Sequence, residues 1–408
     1  MAGTSRQNIT QYALVTLSYW GFTLTDGALR MLVLLHFYTL GYSPLQLATL
    51  FLLYEIFGII TNITGGWMGS RVGLTKTLTL GLALQIAALI ILSFLDENWP
   101  IAVAVPFVVA VQGLSGIAKD FTKMSAKSSL RLIVPENRNS VLFKWVALLT
   151  GSKNALKGAG FFLGGLMLGL LGFKTSLWVM AAMLLVIMIS GIVFLSGTLG
   201  QTKKKITFTE IFSKSRAINL LSSARFFLFG ARDIWFVVAL PIFLADRMGL
   251  DFSEVGGLMA LWVIGYGLIQ SMAPLIIRKS PDGYSCEVRE NILWVAILSL
   301  IPFVIIMTLR LDMAPGPVIL AGLALFGAVF AINSALHSYL ILALTHDDKV
   351  AINVGFYYSA NAGGRLAGTI LSGLSYQFGG IEASLLGSGI MLISAFLFSI
   401  FIPVRIKN

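Results

Sequence analysis

Cysteine and histidine are nearly absent from this chain: one cysteine and three histidines among 408 residues. A lone thiol, Cys286, can neither close an internal disulfide nor build a thiolate metal cage. His36, His337 and His346 are scattered, so no metal or other cofactor is expected. Charge is scarce as well. Asp, Glu, Lys and Arg make up 12% of the chain, about half the share of an ordinary soluble domain. That excludes a sizeable soluble domain. Acids are scarcer still, 18 against 29 bases, for a net charge of +11. No small-residue cleavage site follows Met1–Thr10, which runs straight into apolar Tyr12–Leu24, so an uncleaved first helix is expected.

Apolar residues are what the chain has in abundance: 57% of it is hydrophobic, and the mean hydropathy is +0.87. Runs of 18 or more apolar residues recur from end to end, the signal of membrane-spanning helices. Twelve spans are predicted, near 11–38, 45–68, 74–95, 100–124, 140–171, 175–197, 217–246, 253–277, 290–309, 317–344, 351–378 and 383–404. Turn chemistry separates them, as at Gly41-Tyr42-Ser43-Pro44 and Pro281-Asp282-Gly283. The fold class is therefore an all-α polytopic membrane protein.

The basic residues set the orientation. With the N-terminus inside, sixteen of them fall on the cytoplasmic side and only Lys174, Arg247 and Arg310 on the outer side. This asymmetry obeys the positive-inside rule and predicts that both termini are cytoplasmic. It also explains the basic balance without nucleic acid, which is not an expected partner.

The longest polar linker, "GQTKKKITFTEIFSKS" at 200–215, falls mid-chain. Gly58 and Gly265, Arg71 and Arg278, Asn154 and Asn361, and Gly172 and Gly379 are each 207 positions apart. A weak repeat of six helices follows, with an N-terminal half at 1–198, a cytoplasmic linker at 199–216 and a C-terminal half at 217–408. Two parallel six-helix halves are the architecture of the major facilitator superfamily (MFS), whose substrate site lies between the halves near mid-membrane.

Ten basic residues remain within or at the ends of spans: Arg30, Lys119, Lys123, Lys127, Lys144, Lys153, Lys157, Arg225, Arg232 and Arg365. Lys123, Lys127 and Lys144 are near enough to a span end to snorkel. The others are costly in lipid and are expected to face a pathway or a partner. The intramembrane acids are Asp26, Glu55, Asp120 and Asp233. Spacing pairs Asp26 with Arg30 and Asp120 with Lys123. Asp233 and Arg232 are adjacent and point apart, so Asp233 is expected to pair across helices. Four acids cannot neutralise ten bases, and the excess points to an anionic substrate rather than a purely structural network. Arginine forks suit carboxylate and phosphate, and lysine adds a compact charge. A small anion with more than one acidic group fits both. The candidate substrate-binding residues are Arg30, Lys119, Lys153, Asn154, Lys157, Arg225, Arg232, Asn361 and Arg365. Asp26, Glu55, Asp120 and Asp233 are the candidate coupling or ion-pair residues. Tyr19, Trp20, Thr23, Thr25, Tyr357 and Tyr358 are neutral candidates, with ordinary packing the equal alternative. Pro241 and Pro274 are candidate kinks. No catalytic constellation is present, so an enzyme is not expected.

"GGWMGSRVGLTK" at 65–76 resembles the signature between the second and third helices of facilitators, with Ser70 where that family has Asp. "YWGFTLTDGALRMLVLLHF" (19–37), "SPLQLATLFLLYEIFGIITNITGGWMGSRVGL" (43–74), "LSGIAKDFTKMSAKSSLRLIVPE" (114–136) and "KWVALLTGSKNALKGAGFFLGG" (144–165) resemble the ArsJ-type organoarsenical efflux permeases, a branch of that superfamily. The resemblance implies export of 1-arseno-3-phosphoglycerate, the product of glyceraldehyde-3-phosphate dehydrogenase acting with arsenate. It implies a monomer in the bacterial inner membrane that confers arsenate resistance by alternating access, with membrane lipid and the small anion as its partners. An organophosphate/phosphate antiporter and a proton-coupled multidrug exporter are the alternatives. The cation excess argues against the second.

Overall fold

The computed structural model describes residues 2–72, 74–129, 139–195, 215–277, 285–311, 313–344 and 350–403. Regular structure there is helical throughout. The elements are α1 (Ala2–Thr39), α2 (Pro44–Thr49), α3 (Leu52–Val72), α4 (Leu74–Ser93), α5 (Ile101–Ser129), α6 (Asn139–Phe194), α7 (Arg216–Phe236), α8 (Ala239–Arg247), α9 (Phe252–Ile276), α10 (Ser285–Leu309), α11 (Pro315–Ala343) and α12 (Val350–Ile400). Among the described residues nine helical stretches are long and apolar enough to cross a membrane. Two of them, Ser152–Phe194 and Asn353–Ile400, are each divided by a kink. α1 lies outside the nine because Asp26, Arg30 and several hydroxyls lower its hydropathy. With α1 and both sides of each kink, each of the twelve expected spans has a helical counterpart among the described residues.

The kinks fall where the repeat places them. Gly172 (φ 73°) divides α6, and Gly379 with Gly380 (φ 60°) divides α12. Both positive-φ positions favour glycine, because the backbone conformation itself is strained for any residue with a side chain, although the space around each is open. A different device interrupts α7 and α8. Pro241 has no N–H and its ring crowds the carbonyl of Val237, and the helix opens at Val237–Val238. The Ser372 hydroxyl on α12 accepts from the freed N–H groups of Val238 (3.3 Å) and Ala239 (3.1 Å). In lipid such groups must find a partner within the protein. Pro274, Lys127, Lys144, the linker from 196 to 214, Arg278 and the 65–74 signature fall where side chains, or whole residues, are outside the described part.

The chain divides into two compact units. Unit 1 holds residues 1–40, 60–206 and 252–260, and unit 2 holds 41–59, 207–251 and 261–408. In unit 1, α1 packs along α6, and α4 packs on α5 and α6. In unit 2, α12 is the centre, packed on α7, α10 and α2. α2 starts with a capping box in which the Ser43 and Gln46 side chains each accept from the other's backbone N–H. From there the segment 41–59 runs along α12 with three ties. Leu45 N–H donates to Gln377 (3.2 Å), Glu55 pairs with Arg365, and the Ser359 hydroxyl donates to the Ile59 carbonyl (3.4 Å).

Candidate functional site

Each unit has a helix seam built from glycine with several of the intramembrane bases on its helices. In unit 1 the seam joins α1 to α6. A Cβ on Gly27 would stand 2.6 Å from the Lys157 carbonyl oxygen, and Cβ atoms on Gly160 and Gly164 would strike the carbonyls of Leu24 and Ala28. In unit 2 the seam joins α7 to α12. A Cβ on Gly368 would stand 2.6 Å from the Gly230 carbonyl, and one on Gly364 would strike that of Phe226. Small residues let membrane helices approach this closely, since packing rather than hydrophobicity drives their association.

Along the unit 1 seam, α1 supplies buried Asp26 and half-buried Arg30, and α6 supplies half-buried Lys153, Asn154 and Lys157. Trp20 ties the two helices by donating to the Ser152 hydroxyl (3.0 Å). Lys157 Nζ lies 5.8 Å from the centre of the Phe161 ring. Thr23 and Thr25 donate to backbone carbonyls one turn earlier in α1, so their hydroxyls serve the helix. On α5, Asp120 is buried and accepts from Thr61, and Lys123 bridges Asp120 (3.2 Å) and the Asn62 amide oxygen (2.7 Å). Lys119 lies half-buried nearby and acts on Asp120 through its charge. The expected Asp120–Lys123 pair is therefore present, and Lys123 is held by partners rather than snorkelling.

The seam in unit 2 carries a closed charge network. The Arg365 guanidinium on α12 reaches Glu55 on α3 (2.5 Å) and Asp233 on α7 (3.4 Å). Asp233 also takes Arg232 Nη2 at 2.5 Å and Nε at 2.6 Å. The acids are sealed, with side-chain exposures of 1% for Glu55 and 0% for Asp233. Two acids and two bases balance, as buried charge requires. The expectation that Asp233 pairs across helices holds, through Arg365. The expectation that adjacency keeps Arg232 away from it does not. Cβ vectors one residue apart diverge, but the long arginine stem curls back to a carboxylate already drawn toward α12.

Two turns before Arg232 on α7 stands Arg225, 5% exposed. Its Nε donates to the Asn361 amide oxygen (2.9 Å), and its Nη1 donates to the carbonyl and hydroxyl oxygens of Ser334 on α11 (3.3 Å each). Phe229 lies between two guanidiniums, with Arg225 at 3.9 Å and Arg232 at 4.8 Å from its centroid. Such cation–π contacts hold both forks in place when desolvated. Tyr266 (3.2 Å) and Gln270 (3.4 Å) on α9 also donate to the Ser334 hydroxyl. Tyr357 is fully buried against Arg225, its ring centroid 5.1 Å away.

The candidate residues thus gather in two places. Arg30, Lys119, Lys153, Asn154 and Lys157, with Asp26 and Asp120, belong to unit 1. Arg225, Arg232, Asn361 and Arg365, with Glu55 and Asp233, belong to unit 2. Sequence reasoning missed Phe229, Ser334, His337 and Asn333, which carry no formal charge. For the last three the signal was present in "VFAINSALHSY" (329–339), where Asn333, Ser334 and His337 share one face of a largely apolar helix. Among the described residues no three His, Cys, Asp or Glu side chains gather as metal ligands.

The comparisons agree on the architecture. A family model described as Major Facilitator Superfamily matches residues 13–365. No curated protein matches the chain in sequence. In three dimensions it is similar to a crystal structure of a bacterial homologue of the iron transporter ferroportin in its inward-facing state. The TM-score is 0.70, with 14% identity over 96% of this chain and 98% of that one. The outward-facing state of a bacterial ferroportin homologue gives a TM-score of 0.68, again at 14% identity, over 95% and 98% of the two chains. At that identity the likeness speaks for the fold alone. With twelve helical spans, two buried charge-bearing seams and a family match over most of its length, this multi-pass membrane protein belongs to the major facilitator superfamily.

Proposed function

We propose that this facilitator exports a small organic polyanion, and that the anion is 1-arseno-3-phosphoglycerate. The observation that carries the anionic class is charge inventory along the unit 1 helices. Five basic side chains there (Arg30, Lys119, Lys123, Lys153 and Lys157) share the membrane interior with two acids, Asp26 and Asp120. Whatever the pairing, such an excess in a low-dielectric interior calls for an anion. Unit 2 adds Arg225 to an otherwise balanced network. The arsenical itself rests on the resemblance in sequence to the organoarsenical permeases, and the absence of a thiolate cluster suits a pentavalent ester.

In this reading the protein lies in the bacterial inner membrane with both termini cytoplasmic. The halves at 1–198 and 217–408 exchange access about the bases, and the linker at 199–216 joins them. An interior-negative potential expels each negative charge with about 2.3 kcal/mol per 100 mV. Uniport of a multiply charged anion therefore has its own driving force. Breakdown of the ester outside keeps the gradient favourable. Glu55 and Asp120 are engaged by Arg365 and Lys123, so either pair must open before its carboxylate could carry a proton. The test uses everted vesicles in a medium containing NAD+ as the hydride acceptor and supplied with the dehydrogenase, glyceraldehyde 3-phosphate and arsenate. Arsenic should accumulate only when all three are present. Equal accumulation without the triose phosphate would sink the substrate. Dependence on phosphate loaded inside would indicate exchange rather than uniport.

A further inference from the structure

Four polar atoms at the core of unit 2 have no hydrogen-bond partner among the described residues. They are both ring nitrogens of His337 and both amide atoms of Asn333, on side chains with 0% exposure. The two residues lie four apart on α11 and so share a face. Ser334, which Arg225 grips, belongs to that same face. The charge of Arg225 also reaches His337. One turn before Arg225 on α7 is Ser222, 2% exposed, whose hydroxyl is likewise unpartnered. Leu221 and Leu340, on the same two helices, belong with Tyr357 to a buried apolar cluster.

Buried polar atoms are nearly always hydrogen-bonded, so a cluster of exceptions needs a cause. Here Asn333 and His337 flank Ser334 on α11, the residue that the Arg225 guanidinium grips through Nη1, and Ser222 precedes Arg225 by one turn on α7. An apolar environment strengthens a charge-assisted bond and penalises an unpaired one. The shared chemistry of the set is one fixed positive charge with amide, imidazole and hydroxyl groups on the two helices that carry it and hold it. That composition suits one tetrahedral or planar oxyanion, whose oxygens accept several donors at once.

We infer that Arg225, Asn333, His337 and Ser222 form an oxyanion subsite, which takes a single phosphate-like or carboxylate group. The inference deepens the proposed function and rests on it in one respect: the subsite would hold one acidic group of the exported anion, or a free phosphate exchanged for it. Asn333 and His337 are then binding residues, and Asn361 and Ser334 are positioning residues that orient the fork of Arg225.

The experiment uses the full chain purified in detergent and titrated with inorganic phosphate and, separately, with 3-phosphoglycerate. Wild type should bind at least one of them. Tighter binding of 3-phosphoglycerate assigns the subsite to the exported anion, and tighter binding of phosphate assigns it to a counter-ion. Asn333→Leu and His337→Leu should each raise the Kd about tenfold or more, while the ligand-free melting point is unchanged or raised, since the swap removes unpaired polar atoms. Should either leucine variant fail to fold, Ser222→Ala removes one hydroxyl and is expected to weaken binding about threefold. No binding by wild type at millimolar anion, or an unchanged Kd in every folded variant, would overturn the subsite. Arsenic transport separates the two readings. Accumulation with the same KM in wild type and variants ends the subsite and leaves export standing. Phosphate binding that the variants lose, without arsenic accumulation, ends the substrate and leaves the subsite.

Discussion

Arg365 is the residue on which unit 2 turns, because it satisfies Glu55 and Asp233 at once. Arg365→Ala strands a carboxylate that is 1% exposed. Breaking a buried pair from one side costs about 3–5 kcal/mol. The melting point should fall sharply, and the double change Glu55→Gln with Arg365→Met should recover most of the loss. If the double variant is no more stable than Arg365→Ala, the pair is not coupled. Cys286 is half-buried at the start of α10. Cys286→Ser should leave transport unchanged, and a loss would point to thiol chemistry that the account lacks. At this scale the bases and acids were easy to find, since a charge in an apolar run is conspicuous. Their partners were harder. The curl of Arg232 onto Asp233 depends on the position of Arg365 on another helix, and no local spacing records that. His337 and Asn333 escaped because a neutral polar residue in a membrane helix is commonly a packing residue.

Two elements carry predictions of their own. The α7–α8 break was legible from Pro241, whose ring excludes a continuous helix, but its repair by Ser372 across on α12 was not. Ser372→Ala leaves two backbone N–H groups without that acceptor and should cost about 1–3 kcal/mol. A melting point within error of wild type would mean that the break is satisfied some other way. The glycine seams were half legible. Gly160 and Gly164 stand at packing spacing in the sequence, whereas their partner face on α1 emerges only in three dimensions. Gly160→Leu and Gly364→Leu should reduce the amount of folded protein in the membrane, because each side chain would meet backbone rather than a movable side chain. Gly172 and Gly379 were expected in connections between spans, and the chain does break there, but as kinks within helix rather than as loops. The left-handed conformation at Gly380 was not legible, since Gly379 and Gly380 are indistinguishable as letters.

For the molecule as a whole, hydropathy revealed the span count because lipid imposes helices of one length and one composition. The division into compact units is another matter. Residues 41–59 pack with unit 2, and 252–260 with unit 1, so α3 and α9 each contribute to both. A linear reading assigns each helix to one half, since it contains no information on contacts between distant segments. The central claim is that intramembrane bases carry an organic polyanion outward. Its most direct measurement is triose-phosphate-dependent arsenic uptake into everted vesicles, with wild type, Lys157→Ala and Arg232→Ala inserted at equal levels. The account predicts accumulation by wild type and a fall of about tenfold or more in each variant, the loss of one charge-assisted contact. Wild-type rates in both variants would contradict it.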